Sequence, residues 1–533
     1  MEYPSEHQAL FVGEIRLNGQ RCASKSDEKK SIEKCGGRGW TKLLILAGFS
    51  TTIGSSLPVG YNIGVVNSPA QILKRFCNES MFEHYGFEMS PNQLELLWSA
   101  VVSIFLVGGT VGSLTGSWLA DKMGRKRGLI VASFLLTFSG ILFLTCKAAL
   151  SVEMLILGRF IVGLAAGSIT CIMPMYLTEL APIDLRGAVG VLCPLGVTSG
   201  VLLAQVISLR NVLGTEIMWP VLLSFFLVMV IISSLIIPFL PESPKYLFVI
   251  KNNRNLALNS LEKIRNKKIC DLEEEVTELE VELADVKKQK TAVGFCGVLC
   301  DRTLLLPLLL VCSMQGGQQF SGINAVFYYS KSIFQNAGLS ESNSEFATVA
   351  AGAVNLGMAI ASIYIMSNFK RRSVFQLSTS LSALFLILLG VAITYMTTVS
   401  WMPYISIVAV LGYVFAYGIG LGPIPYFIGS ELFEVGPRPT AMALGSMANW
   451  GGNFIIGMTF PLMQSTIGPA SFYIFAVTTF LLFLFTRLYL PETKDRDPID
   501  VAQALRKGFG PRPLASPVGS SATDETFASD DLK

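Results

Sequence analysis

Gln315-Gly-Gly-Gln-Gln-Phe-Ser-Gly-Ile-Asn-Ala-Val-Phe-Tyr-Tyr329 continues the apolar run 304–312, and the two read as one membrane-embedded segment. Yet the stretch carries three glutamines, a serine and an asparagine, with glycines opening space beside them. Uncharged amides and hydroxyls survive at bilayer depth only where they face protein or water. They donate and accept hydrogen bonds without titrating, which suits a neutral polyol better than an ion. Any one of them serves equally well as glue between helices. Five on one segment point to a binding site.

Composition agrees with a membrane setting. Of 533 residues, 51% are hydrophobic and only 15% charged, where soluble domains carry about a quarter charged residues. The net charge of +3 gives no reason to invoke nucleic acid. Cys296-Gly-Val-Leu-Cys300 lacks a second pair or a nearby histidine and reads as ordinary thiols. No phosphate-binding loop, zinc spacing or catalytic constellation is legible, so the chain is read as neither an enzyme nor an ATP-driven pump, and no cofactor is expected.

A bilayer span takes roughly 20 apolar residues. Twelve such segments follow: 41–66, 94–119, 128–146, 153–173, 187–209, 219–239, 303–331, 346–366, 374–396, 403–428, 438–463 and 470–490; they are called spans 1–12 below. The expected fold is therefore an all-α membrane protein of twelve transmembrane helices in two six-helix halves. It divides into a cytosolic N-terminal segment (1–40), a first half (41–239), a helical linker (240–301), a second half (302–490) and a largely disordered tail (491–533). In the linker, Leu272, Val276, Leu279, Leu283 and Val286 recur at spacings of four and three, predicting an amphipathic helix on the cytosolic face.

Basic residues in short loops set the orientation. Lys122, Arg125, Lys126 and Arg127 follow span 2, and Lys370, Arg371 and Arg372 follow span 8, while the alternate loops are nearly free of them. Both termini are expected in the cytosol and the protein in the plasma membrane. Asn78-Glu-Ser80, a glycosylation acceptor, then falls outside.

The halves also repeat. Glu179-Leu-Ala-Pro-Ile-Asp-Leu-Arg186 after span 4 matches Glu431-Leu-Phe-Glu-Val-Gly-Pro-Arg438 after span 10. Pro241-Glu-Ser-Pro-Lys245 matches Pro491-Glu-Thr-Lys494, and Asp121-Lys-Met-Gly-Arg-Lys126 is echoed by Ser367-Asn-Phe-Lys-Arg-Arg372. Internal repeats around a midplane site are a transporter plan.

The stretch 318–329 closely resembles the seventh helix of the facilitative glucose transporters, the sugar porter branch of the major facilitator superfamily. The resemblance runs from span 1 to Thr493 and includes Gly60-Tyr-Asn-Ile-Gly-Val-Val-Asn67, Gly158-Arg-Phe, Pro174-Met-Tyr-Leu-Thr-Glu179, Gly422-Pro-Ile-Pro425 and Asn449-Trp450. It implies sugar contacts at Gln315, Gln318, Gln319 and Asn324 on span 7, Asn355 on span 8 and Asn453 on span 11, with Tyr426 of span 10 as an aromatic wall. Glu179, Arg186, Glu431 and Arg438 read either as exposed ion pairs or as a latch that ties the halves together when the cavity faces out. Three positions depart from the family pattern. Pro194 replaces a glutamine and should kink span 5; Gly418 replaces a glutamate and should enlarge the pocket; Tyr426 replaces a tryptophan.

The implied function is a facilitative hexose uniporter working by alternating access. Its substrate is glucose, with fructose as a second hexose; the bilayer is its surrounding, and no obligate protein partner is evident. A proton-coupled sugar symporter is the alternative, and a transporter-like nutrient sensor a third reading. Span 1 contains no Asp or Glu, and where proton-coupled relatives carry an aspartate this chain has Asn62, expected to hydrogen-bond Arg159 of span 4.

Overall fold

The structure, a computed structural model, describes residues 40–505 apart from 183–184, 289–294, 337, 397, 434–436, 495 and 497. The readings for the N-terminal segment before Trp40 and for the tail beyond Leu505 lie outside the described residues. No strand occurs among those described. Helix falls on all twelve expected spans, arranged as two six-helix halves. Nine helical stretches among the described residues are long and apolar enough to cross a membrane. The other three fall short for different reasons. Span 5 has only Leu192–Ile207 in continuous helix, span 7 is broken into Leu305–Phe320 and Ile323–Asn336, and span 11 (Arg438–Thr466) is rich in Gly, Ser, Thr and Asn.

Between helices in a membrane the hydrophobic effect supplies little attraction, so close backbone approach must do the holding. The first half shows this along span 2 (Pro91–Met123) and span 4 (Val152–Leu180). A Cβ on Gly112 would lie 2.1 Å from the Leu164 carbonyl oxygen, and one on Gly167 would lie 2.1 Å from that of Gly109. The same device joins spans 1 and 5, where a Cβ on Gly200 would meet the Leu57 carbonyl oxygen at 2.1 Å. Span 1 itself (Lys42–Gly64) contains a π-helical turn, Thr52–Ser56, fitted against Ser233 of span 6. Span 5 breaks at Val191, after a short turn Arg186–Gly190. Pro194 has no N–H to offer the Gly190 carbonyl, which is the reason for the break.

Further helices lie outside the spans. The linker forms Arg254–Arg265 and Glu273–Lys288, with Leu272 and Leu279 buried as the amphipathic pattern requires. It docks on the first half through Arg265, which pairs with Glu275 at 2.8 Å and donates to the Leu180 carbonyl at 2.7 Å. The tail is ordered further than expected: Pro498–Leu505 is a helix whose Val501, Ala502 and Leu505 are buried against spans 7 and 10. The loop after span 1 also proves helical, over Ala70–Tyr85. Asn78 sits within that helix, half-buried, and the Ser80 hydroxyl is fully buried and accepts the Val152 N–H at 3.0 Å.

The glycine seam carries a testable consequence. Gly112→Ala should force spans 2 and 4 apart at a cost of about 1–3 kcal/mol, typical of overpacking. Gly357→Ala, at a span 8 position with nothing within 4 Å of the added carbon, should be neutral. Thermal unfolding of the two purified variants in detergent separates them, and equal melting temperatures would refute the seam.

Candidate functional site

The site begins with a break in span 7. Ser321 and Gly322 interrupt the helix, and Gly322 adopts φ +85°, a left-handed conformation that glycine takes without strain. A break at bilayer depth frees backbone groups that lipid cannot satisfy. Here protein supplies the partners: Tyr413 donates to the Ser321 carbonyl at 2.8 Å and Thr478 to that of Phe320 at 2.7 Å. The expected single segment 303–331 is therefore two helices meeting at an angle-forming joint.

Span 10 breaks too, between Met402–Ile419 and Ile424–Leu432. Its exposed backbone is caught by side chains of neighbouring spans. Ser378 of span 9 donates to the Ala416 carbonyl at 2.6 Å and accepts the Leu421 N–H at 2.8 Å. Gln318 donates to the Leu421 and Gly422 carbonyls at 3.1 and 2.8 Å. Its Oε1 accepts from Asn449 at 2.8 Å and from Gln319 at 3.4 Å, and Asn324 donates to Gln319 Oε1. Gln315 donates to the Pro425 carbonyl at 2.9 Å, while its own Oε1 is buried without a partner.

The glutamines and asparagine of span 7 thus come together in one hydrogen-bonded chain that runs from span 11 to span 10. Gln318, expected to face the sugar, is wholly enclosed, and all its hydrogen-bonding capacity is taken by protein. Asn449 is a member of the chain that sequence reasoning left out, although Asn449-Trp450 stood in the recognised motif. Asn453 is buried one turn further along span 11, beside Gly452, which packs against Gln319. Asn355 is buried on span 8. Tyr426, on the second helix of span 10, is 56% exposed.

Two expectations need correcting. Gly418 does not enlarge the cavity, because Met358 of span 8 fills the place: a Cβ there would lie 2.5 Å from Met358 Cβ. Asn62 does not bond Arg159 through its side chain. Arg159 Nη1 donates to the Asn62 main-chain carbonyl at 2.8 Å and its guanidinium lies 4.7 Å from the Phe105 ring centre. The Asn62 amide donates instead to the Pro58 carbonyl at 2.9 Å, leaving Oδ1 buried and unpartnered.

At the basic face, called inner here, the two halves carry matching charged sets. Arg125 pairs with Glu179 at 2.9 Å, Ser243 donates to Glu179, and Glu242 accepts the N–H groups of Arg125 and Lys126, each at 3.0 Å. In the second half Arg371 pairs with Glu431 at 3.6 Å, Thr493 donates to Glu431, and Glu492 accepts the N–H groups of Arg371 and Arg372. Each set seats a carboxylate on the N-terminus of span 3 or span 9, where helix dipole and free N–H groups favour it. Arg186 pairs with Glu278 of the linker at 2.9 Å, and Arg438 donates to the Phe433 carbonyl at 3.0 Å. Glu179, Arg186, Glu431 and Arg438 therefore do not meet across the halves in this arrangement. Sequence reasoning saw the Glu179 and Glu431 repeats but missed their partners, which stand in the other two repeats.

Contacts across the halves lie elsewhere. Trp450 of span 11 packs edge-on to Phe105 of span 2, with ring centres 6.3 Å apart. Asn67 at the outer end of span 1 donates to Ser330 of span 7 at 2.6 Å, and Arg210, just past span 5, pairs with Glu341 and Glu345 in the first turns of the span 8 helix Glu341–Asn368. Among the described residues, ion pairs bridge the halves on the outer side, whereas inner pairs stay within a half or reach the linker.

Two repeated six-helix halves, closed outside around a polar chain at bilayer depth, define a membrane transporter. Comparison with known proteins says which kind. The model of the sugar (and other) transporter family matches residues 47–505. The chain is 38% identical over 486 residues to facilitated glucose transporter member 1 of solute carrier family 2 from Gallus gallus, covering 91% of this chain and 96% of that one. It is 40% identical over 460 residues to member 4 from Bos taurus, covering 86% and 89%, and 38% identical over 470 residues to member 5 from Equus caballus, covering 88% and 93%. In fold it is similar to the partially occluded inward-open xylose transporter XylE from E. coli, with a TM-score of 0.71 at 22% identity, covering 86% of this chain and all of that one. The chain belongs to the sugar transporter family.

Gln318→Ala is expected to orphan the Leu421 and Gly422 carbonyls together and to leave the Asn449 amide only the Gln315 carbonyl, at 3.2 Å, of its two acceptors. Each buried group left unpaired costs about 1–3 kcal/mol, so this variant should melt well below Gln315→Ala, which loses a single bond. Equal melting temperatures of the two purified proteins would show that Gln318 does not hold the span 10 break.

Proposed function

We propose that this protein is a facilitative hexose transporter of the plasma membrane, carrying glucose and also fructose down their gradients with both termini in the cytosol. The observation that carries the reading is the uncharged amide chain of spans 7 and 11 at bilayer depth, in a member of the sugar transporter family. Amides offer donors and acceptors to sugar hydroxyls without binding ions. Gln315 Oε1, buried and unpartnered, is the acceptor a hydroxyl would satisfy first. Gln319, Asn324, Asn355 and Asn453 line the same path, and Tyr426 covers an apolar sugar face from the open space between the halves. Gln318 acts in this reading as the clamp that holds the pocket wall, and meets sugar only if its protein partners are exchanged. The relatives named as facilitated glucose transporters support this substrate class.

The arrangement, joined outside and unbridged inside, supports an inward-facing state. Glu179, Arg186, Glu431 and Arg438 are in position to form the proposed latch only when the inner ends approach in the outward-facing state. Asn78 is the proposed glycan site.

Proton coupling needs a titratable group in the sugar path. Asn62 stands where such an acid would sit, Arg159 keeps its charge at physiological pH, and the described acids paired across the outer seam, Glu341 and Glu345, are engaged by Lys331 at 3.1 and 2.8 Å. In purified proteoliposomes, labelled glucose and fructose should equilibrate by a saturable route and never accumulate, with or without an imposed pH gradient. Concentrative uptake driven by that gradient would establish the symport reading instead. Asn62→Asp, which places an acid beside Arg159, should make uptake depend on pH.

A further inference from the structure

Span 7 is uncharged through its polar stretch and then carries one cation, Lys331, on its second helix Ile323–Asn336. Its side chain is only 10% exposed. Lys331 Nζ lies 2.8 Å from Glu345 Oε1 and 3.1 Å from Glu341 Oε1, both on the first turns of span 8. Glu345 is 8% exposed. Arg210, at the outer end of span 5 in the first half, pairs with Glu341 and reaches Glu345 at 3.6 Å. Two cations and two carboxylates from three spans thus meet at the outer seam. Lys331 directly follows Ser330, which accepts the Asn67 amide across the same seam.

We propose that Lys331, Glu345, Glu341 and Arg210 form an ion lock that closes the outer gate, and that its rupture governs the passage of the carrier to the outward-facing state.

The physical argument turns on what the lock must offset. Closing the outer seam buries Gln205 of span 5 with both amide atoms unpartnered, against Gly352 of span 8. A buried amide without partners opposes closure, so some other interaction must favour it. Arg210 supplies the only charge in the cluster that belongs to the first half. When span 5 moves away, the carboxylates lose that cation and water enters between them. Lys331 and Glu345, already desolvated in the closed state, cannot be neutralised singly without leaving a buried unpaired charge. The cluster therefore behaves as a unit with two states, paired and dry or separated and wet.

The proposal rests on the alternating-access reading above, so its test should not need a transported sugar. Spin labels at Ile217→Cys and Thr398→Cys, on exposed outer loops of the two halves, would report the outer opening by electron–electron distance measurement in full-length protein whose other reactive cysteines are replaced. Arg210→Gln removes an exposed partner and should fold normally. It is expected to raise the ratio of open to closed outer distances by about five-fold or more, the usual scale of a coupling of this kind. Glu345→Gln should do the same, and the two together should do less than the sum of the single effects, because both groups belong to one paired cluster. Should Glu345→Gln fold poorly, Glu341→Gln takes its place in the cycle. Unchanged distance distributions in Arg210→Gln, or effects that add across the pair, would overturn the lock. Sugar specificity plays no part in this readout, so a wrong hexose assignment would leave the result intact.

Discussion

The constraint on which the rest depends is the satisfaction of broken backbone at bilayer depth. Spans 7 and 10 must bend to make a cavity, and each bend frees carbonyls that neither lipid nor the helix can pair. The molecule answers with side chains from the facing helices: Gln318 and Ser378 on span 10, Tyr413 and Thr478 on span 7. This couples the two breaks to each other, since Gln318 stands three residues before the span 7 break at Ser321 while the carbonyls that accept its N–H groups sit on span 10. A shift of one hinge therefore costs bonds at the other. Such coupling gives a cavity wall that moves as a unit rather than residue by residue.

The rigid remainder is built differently. Spans 2 and 4, and spans 1 and 5, are held by glycines that let backbones touch, so little in those pairs can slide without collision. The seams between halves use larger and more polar groups: Trp450 on Phe105, Asn67 on Ser330, Arg210 on two carboxylates. Backbone-on-backbone packing within halves and side-chain contact between them is the division of labour that rocking of two bodies requires. On the inner face the carboxylates of Glu242 and Glu492 are seated on helix N-termini within their own halves, which leaves those ends preorganised but unjoined.

What the sequence made legible follows from which signals are local. Apolar length placed the twelve spans, and the proline at 194 placed the break in span 5, because both act within one helix. The repeats around Glu179 and Glu431 were visible, but their partners were not, since Arg125 and Glu242 meet only after three loops fold together. The helix Ala70–Tyr85 was overlooked because its polarity suggested a loop; its buried Leu73, Phe76 and Cys77 show the amphipathic spacing that could have found it. Gly418 misled for a related reason. A missing side chain reads as space, whereas a neighbouring helix was free to send Met358 into it. Lys331, Glu341 and Glu345 stood in plain view as charges beside uncharged spans, and only the fold shows that Arg210 belongs with them.

The distribution of polar groups also bears on how a neutral solute and a charged gate coexist in one path. Around the amide chain no described ion pair occurs, so in the proposed role a sugar there would compete with protein amides of similar strength. Charge is confined to the outer seam and the inner ends, where helices meet water once they part. Separating an ion pair into water costs far less than separating it in a dry interior. An ionic gate is therefore affordable at the ends of the path and would be prohibitive at its centre. The unpartnered oxygens of Asn62 and Gln315 fit this division: at the centre, unsatisfied polarity is left on neutral groups, where a hydroxyl can relieve it without moving a charge.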